Sequence, residues 1–192
     1  MSATRLLVLG VVRRIGRAHG YLVRSELVSW GAEEWANVKW GSIYHALRQL
    51  TKEGLLSSTE ITEWPGRVDY EITEAGEEEF LRLLRDALRG PEHRADILGA
   101  GLALLPALPR SEAVGLLRAR LSGLEAQRDE VAGRLERLSG GDLPHIGELP
   151  RFQLHGIDSA VEWTRGLIER LESGRYAMAG DQDADRPAAP HG

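Results

Sequence analysis

Two hydrophobic periods divide the chain. In residues 41–56, Ile43, Ala46, Leu47 and Leu50 recur at i, i+3, i+4 and i+7, the spacing of a short helix with one buried face. His45, Arg48 and Lys52 then project from the centre of the opposite face, with Ser42, Tyr44, Gln49 and Thr51 on its flanks. Gly54 is placed to end this helix as a C-cap. Past a Pro65-Gly66 pair suited to a type II turn, Val68, Tyr70 and Ile72 alternate with Arg67, Asp69 and Glu71, which predicts a strand with its first set on the core. Thr73 is positioned to cap a further helix that opens with Glu74 and Glu77. Upstream, residues 4–18 carry Leu6, Leu7, Leu9, Val11, Val12 and Ile15, a helix buried on much of its circumference and broken at Gly20. Residues 22–30 predict a second helix that turns Leu22, Leu27, Val28 and Trp30 inward and stops at Gly31, and residues 32–40 connect it to the helix with the polar face.

The second half changes period. Val114, Leu117, Leu121, Leu124, Arg128, Val131, Leu135 and Leu138 step alternately by three and four, a heptad seam with one charged interruption. After a Gly140-Gly141-Asp142-Leu143-Pro144 break, Ile157, Val161, Thr164, Ile168 and Leu171 form a second seam able to fold back on the first. Residues 95–105 are strongly apolar as well. A lone helical hairpin buries little surface, so these elements predict a homodimer whose subunits complete one another through Leu117, Leu121, Leu124, Val131, Leu135, Val161, Trp163 and Ile168. Trp30, Trp35 and Trp163 read as core or interface anchors. The stretch 177–192, rich in Ala, Asp and Pro, reads as a disordered tail.

The predicted fold is mainly α: an N-terminal winged helix-turn-helix with a small β-wing in residues 1–88, then an α-helical, coiled-coil-like dimerisation domain in residues 89–176. The polar face of residues 41–56 has the residue types that contact DNA. Arg48 suits guanine, Gln49 suits adenine, Lys52 supplies a point charge, and Ser42 either caps the helix or donates to a phosphate. Arg67, just past the wing turn, is placed to reach the backbone or minor groove. Tyr70 reads as part of the wing core.

The net charge of −5 changes sign when divided. Residues 1–57 hold eight basic and four acidic side chains, a net of +4, which leaves −9 for the rest. A basic reading head on an acidic partner domain fits that asymmetry. The absence of cysteine excludes disulfides, thiolate metal sites and thiol redox sensing. With no long apolar run and no signal segment, the protein is expected in the cytoplasm, away from membranes. No Gly-rich phosphate loop or nucleophile elbow is present, and the six histidines are scattered. His93 with Asp96 lacks a third ligand, so neither enzyme activity nor a cofactor or metal is expected. The rival reading is a winged helix that binds another protein without specific DNA binding. Its docking face would carry apolar anchors, unlike His45, Arg48, Gln49 and Lys52.

His19-Gly20-Tyr21, Gly41-Ser42-Ile43-Tyr44 with Ala46-Leu47 and Leu50, Glu53-Gly54-Leu55-Leu56, and Tyr70 with Ile72-Thr73-Glu74-Ala75-Gly76 together resemble the DNA-binding domain of PadR-type transcriptional regulators. His155-Gly156-Ile157, Ala160-Val161-Glu162-Trp163 and Leu167-Ile168-Glu169 resemble the closing helix of the dimerisation domain in longer members of that family. The resemblance implies a dimeric regulator, a repressor rather than an activator, on an inverted-repeat double-stranded DNA operator. It implies DNA contacts from Lys39, Ser42, Tyr44, His45, Arg48, Gln49, Lys52 and Arg67, with phosphate contacts from the basic residues of the first helix and the wing. It further implies release by a small-molecule effector near the dimer interface, for which Trp163 and the apolar helix before Pro106 are the candidates. Trp40 departs from the smaller residue the resemblance leads one to expect there.

Overall fold

The computed structural model describes residues 2–62, 64, 66–91, 94–138 and 144–181. They form two compact units, Met1–Ala87 with His93–Leu105 and Leu88–Glu92 with Pro106–Gly192.

In the first unit, α1 (Ala3–Ile15) supplies the centre of the core: Leu6 to Leu9, Val11 and Val12 are all buried. It ends at Gly16, whose positive φ of 84° is available to glycine, four residues before the expected break at Gly20. The intervening residues form a short strand, β1 (Arg17–His19). Gly20 opens α2 (Gly20–Ser29), whose buried residues are Gly20, Val23 and Leu27. The expected inward set is therefore corrected: Leu22 and Val28 are exposed, because starting the helix at Gly20 turns the 20/23/27 stripe onto α1. A single turn, α3 (Ala32–Ala36), lies in the stretch expected to be a connection. α4 (Trp40–Lys52) buries Ile43, Leu47 and Leu50 as its spacing predicts. Gly54 follows it with φ 75°, and Leu55 donates back to the Leu50 carbonyl at 2.9 Å.

The sheet has three antiparallel strands in the order β1, β3, β2, where β2 is Leu56–Glu60 and β3 is Val68–Ile72. Asp69 lies opposite His19 on one side and Thr59 on the other. The alternation in β3 placed Asp69 on the open face, yet it is buried while Val68, Tyr70 and Ile72 are half-buried. With a neighbour on each side the middle strand has little exposed backbone, and Arg67 and Arg17 supply the charge that makes the carboxylate's burial tolerable. Of the Pro65-Gly66 turn, Pro65 lies outside the described residues; Gly66 has φ 86°. Thr73 caps α5 (Glu74–Arg89) as expected: its hydroxyl accepts from Gly76 N–H at 3.0 Å and donates to the Gly54 carbonyl at 2.8 Å. The apolar helix α6 (Ala95–Ala103), expected among the dimerising elements, packs on α1 and α3 within the first unit. Gly99 admits the Trp35 ring there, since a Cβ would lie 2.8 Å from it. These contacts bury Ala100 and Gly101 and half-bury Ile97, Leu98 and Leu102 within the same chain.

The second unit is an α7 (Arg110–Leu138) and α8 (Glu148–Glu172) pair. Leu124 and Val131 of α7 meet Ile157 and Val161 of α8, with Leu121, Leu154 and Ala160 around them. Ion pairs Arg118–Glu172, Arg128–Asp158 and Arg165–Glu125, each at 2.6 Å, line the exposed edges. Residues 177–181, assigned by composition to the tail, are held in place. Arg110 donates to the Leu171 and Tyr176 carbonyls and to Asp181, Ala179 N–H donates to the Pro106 carbonyl, and Met178 is buried. The rest of that tail and Gly140 to Leu143 of the Gly/Pro-rich break lie outside the described residues. Among the described residues no helix is long and apolar enough to cross a membrane, and no group of three His, Asp or Glu is placed to hold a metal.

Candidate nucleic-acid interface

On α4 the buried Ile43, Leu47 and Leu50 fix the helix by one face and leave Lys39, Trp40, His45, Arg48, Gln49 and Lys52 exposed on the other. Ser42 is half-buried in the first turn and donates its hydroxyl to the Lys39 carbonyl at 2.5 Å. It is not the cap; Lys39 holds that position without a side-chain bond. Tyr44 is half-buried. A Cβ on Gly20 would lie 2.6 Å from its ring, so the absence of a side chain there makes room for the tyrosine. Tyr70 of β3 sits near both Arg48 and Tyr44; its burial raises its pKa above the ordinary phenol value, and the charge of Arg48 partly offsets this. α4 and β3 are therefore coupled electrostatically through Tyr44, Arg48 and Tyr70.

The ion pairs of this unit sort its basic residues into two groups. Arg5 binds Glu53 at 2.5 Å and Glu79 at 3.6 Å, Arg13 binds Glu77 at 2.6 Å, Arg14 binds Glu26, and Arg17 reaches Glu71 at 3.2 Å. Each of these arginines has a carboxylate partner. Hydrogen bonding from Arg5 holds the Glu53 carboxyl below the ordinary range. Arg24, Lys39, Arg48 and Lys52 have no carboxylate within ion-pair distance among the described residues, and all four lie on α2, on α4 or at its start. The arginines of the first helix, expected to supply phosphate contacts, are each paired with a carboxylate of α2, α5 or the end of α4. Arg24 was absent from the expected contacts. Its signal in the sequence was weak, a lone arginine on a helix whose inward face was misphased.

At the wing, Arg67 donates to Asp69 through Nε at 2.9 Å and Nη2 at 3.3 Å. That hydrogen bonding is the main cause holding the Asp69 carboxyl below the ordinary range, with the charges of Arg17 and His19 adding to it. Arg67 remains exposed but is oriented by a buried partner. Trp64, beside the turn, is also exposed.

In the second unit, the expected dimerisation residues Leu117, Leu124, Val131, Val161 and Ile168 are buried between helices of the same chain, Leu121 and Leu135 are half-buried, and Trp163 is 40% exposed. The heptad seam is thus used within one chain. Apolar side chains left outside are Leu149, Phe152 at 77% exposure, and Trp163 along α8. Trp163 borders an open groove of about 1110 Å3 whose walls include Glu125, Arg128, Asp158, Glu162 and Arg165. Its lining is mostly charged.

Comparison with known proteins agrees with the first unit. Residues 8–82 match the Transcriptional regulator PadR-like family. Similar solved structures include Bacillus subtilis PadR in complex with operator DNA, with 23% identity, 87% of this chain and 98% of that chain covered, and a TM-score of 0.38. Bacillus subtilis PadR in complex with p-coumaric acid shows 21% identity, 88% and 96% coverage and a TM-score of 0.39. The PadR-like regulator BC1756 from Bacillus cereus shows 21% identity, 89% and 99% coverage and a TM-score of 0.38. No curated protein matches the chain.

Proposed function

We propose, from the premise that residues 8–82 are a PadR-like transcriptional-regulator domain, that this chain is a homodimeric repressor of an inverted-repeat DNA operator. The observation that carries the reading is the sorting of charge. Arg5, Arg13 and Arg14, half-buried or exposed, are each paired with a carboxylate, while Arg24, Lys39, Arg48 and Lys52 on α2, on α4 or at its start have no carboxylate partner among the described residues. Unpaired cations on a solvent face repel one another, and a polyanion is the partner that turns that cost into binding. Arg48 and Gln49 read base edges, Lys39, His45 and Lys52 meet phosphates, Ser42 and Tyr44 line the helix flank, and Arg67 contacts the DNA beside the wing.

Dimerisation uses the second unit, with residues 89–176 as the functional domain. Leu117, Leu124, Val131, Val161 and Ile168 build the helical pair, and the surface it leaves, Trp163 with the half-buried Leu121 and Leu135, meets the partner copy. A two-fold dimer presents two reading heads to two half-sites. A small aromatic effector binding beside Trp163 would release DNA by binding the DNA-incompetent arrangement more tightly. The test is selection of genomic fragments by the purified protein. Recovery of fragments sharing an inverted repeat supports the reading. Recovery of no common sequence, together with retention of a protein partner by the α4 face, would establish the protein-binding module instead.

A further inference from the structure

Trp40 lies between Arg24 of α2 and Tyr44 of its own helix. The Arg24 guanidinium carbon lies 3.5 Å from the centroid of the Trp40 ring. Trp40 in turn stacks with Tyr44, centroids 6.1 Å apart and planes 16° from parallel. Tyr44 is seated over Gly20. An aromatic pair on α4 therefore fixes an arginine on α2.

The choice of partner matters chemically. Arg14, at the other end of the same region, lies 5.4 Å over the Trp30 ring but is also neutralised by Glu26. Arg24 has the ring alone among the described residues. An indole orients a guanidinium through its quadrupole without cancelling its charge, so the N–H donors stay available for a second partner. Trp40 is 52% exposed despite both contacts. Its indole N–H has no acceptor among the described residues, whereas Trp30 donates to Glu26 at 2.9 Å and Trp35 donates to the Trp30 carbonyl at 2.9 Å. A fixed, uncancelled cation beside a free N–H donor suits a phosphodiester, which accepts through several oxygens and carries one charge.

We propose that Arg24 and Trp40 act as one DNA-backbone contact: Arg24 neutralises a phosphate, and Trp40 both positions Arg24 and donates its indole N–H to the backbone. This rests on the DNA-binding reading and extends its footprint from α4 to α2. Tyr44 then has a second task, as the support of that contact.

Salt dependence of binding to a mixed-sequence B-form duplex, followed by fluorescence anisotropy on the full chain, separates the roles. Arg24→Gln is expected to lower the slope of log affinity against log salt by about 1, with about tenfold weaker binding. Trp40→Ala should lower the slope equally, because it frees the guanidinium, and the double variant should lose no more slope than either alone. Trp40→Phe keeps a ring and should keep the slope while binding more weakly. Steep wild-type binding with unchanged slopes in Arg24→Gln and Trp40→Ala overturns this contact and leaves the DNA-binding reading standing. Wild-type protein that does not bind the duplex at low salt overturns both. Arg24→Gln alters a half-exposed residue and carries the test by itself if Trp40→Ala does not fold, as judged by thermal unfolding.

Discussion

Gly20 and Tyr44 are matched across two helices: a Cβ at residue 20 would lie 2.6 Å from the Tyr44 ring, within the space that ring occupies. Two short pieces of sequence, one around residue 20 and one around residue 44, are thus parts of one contact. Gly20→Ala is expected to push the Tyr44 ring outward. Because that ring is half-buried at the surface, the stability cost should stay at about 1 kcal/mol, while the aromatic pair on α4, and with it the DNA contact proposed for Arg24 and Trp40, is disturbed. Thermal unfolding and DNA titration of the same variant check this; a larger loss of stability than of DNA affinity would contradict it.

Gly76 differs in kind. A Cβ there would meet the Leu55 carbonyl oxygen at 2.0 Å, and a backbone atom has nowhere to go. Gly76→Ala should therefore destabilise the first unit by about 1–3 kcal/mol or more, measured by denaturant unfolding. Ser at residue 73 should be tolerated, since its hydroxyl can keep the cap bonds to Gly76 and Gly54.

Asp69 links the wing to acid stability. Its carboxyl is held below the ordinary aspartate range by Arg67, so its folded pKa lies below its unfolded one. The contribution is complete above the unfolded value near about pH 4 and is lost as pH falls through the folded value. Unfolding midpoints of wild type and Asp69→Asn should therefore converge as the solution is acidified below about pH 4. Parallel curves through that window would contradict the assignment.

The two helical seams give a prediction that separates fold from assembly. Leu124→Ala removes a fully buried side chain and should cost about 2–5 kcal/mol in the second unit. Trp163→Glu alters an exposed residue of the proposed dimer surface, so helicity should persist while sedimentation shifts from dimer to monomer. An unchanged dimer in that variant would place the subunit contact elsewhere.

The buried stripe of α4 and the Thr73 cap were legible because each is decided within a few residues by helix period and capping chemistry. β1 was not: three residues acquire strand geometry only by pairing with β3, a partner some fifty residues away. Asp69 was placed on the wrong face because alternation carries no information about the exposed Arg67 and Arg17 that fold over the carboxylate. Arg24 and Trp40 each have an ordinary reading alone, and only their approach gives them a shared one. A heptad seam states that two helices will meet without stating whether they belong to one chain, and here α7 and α8 satisfy each other.

On the proposed function, the α4 face binds DNA through charges the fold leaves without carboxylate partners. The most direct measurement is anisotropy of the DNA upstream of the protein's own gene across a salt series, for wild type and Arg48→Glu. Tight wild-type binding that weakens by about 10³- to 10⁵-fold between about 50 and 200 mM salt, and is lost in a variant that remains folded, is the predicted result. A complex insensitive to salt, or one that Arg48→Glu leaves intact, would contradict it.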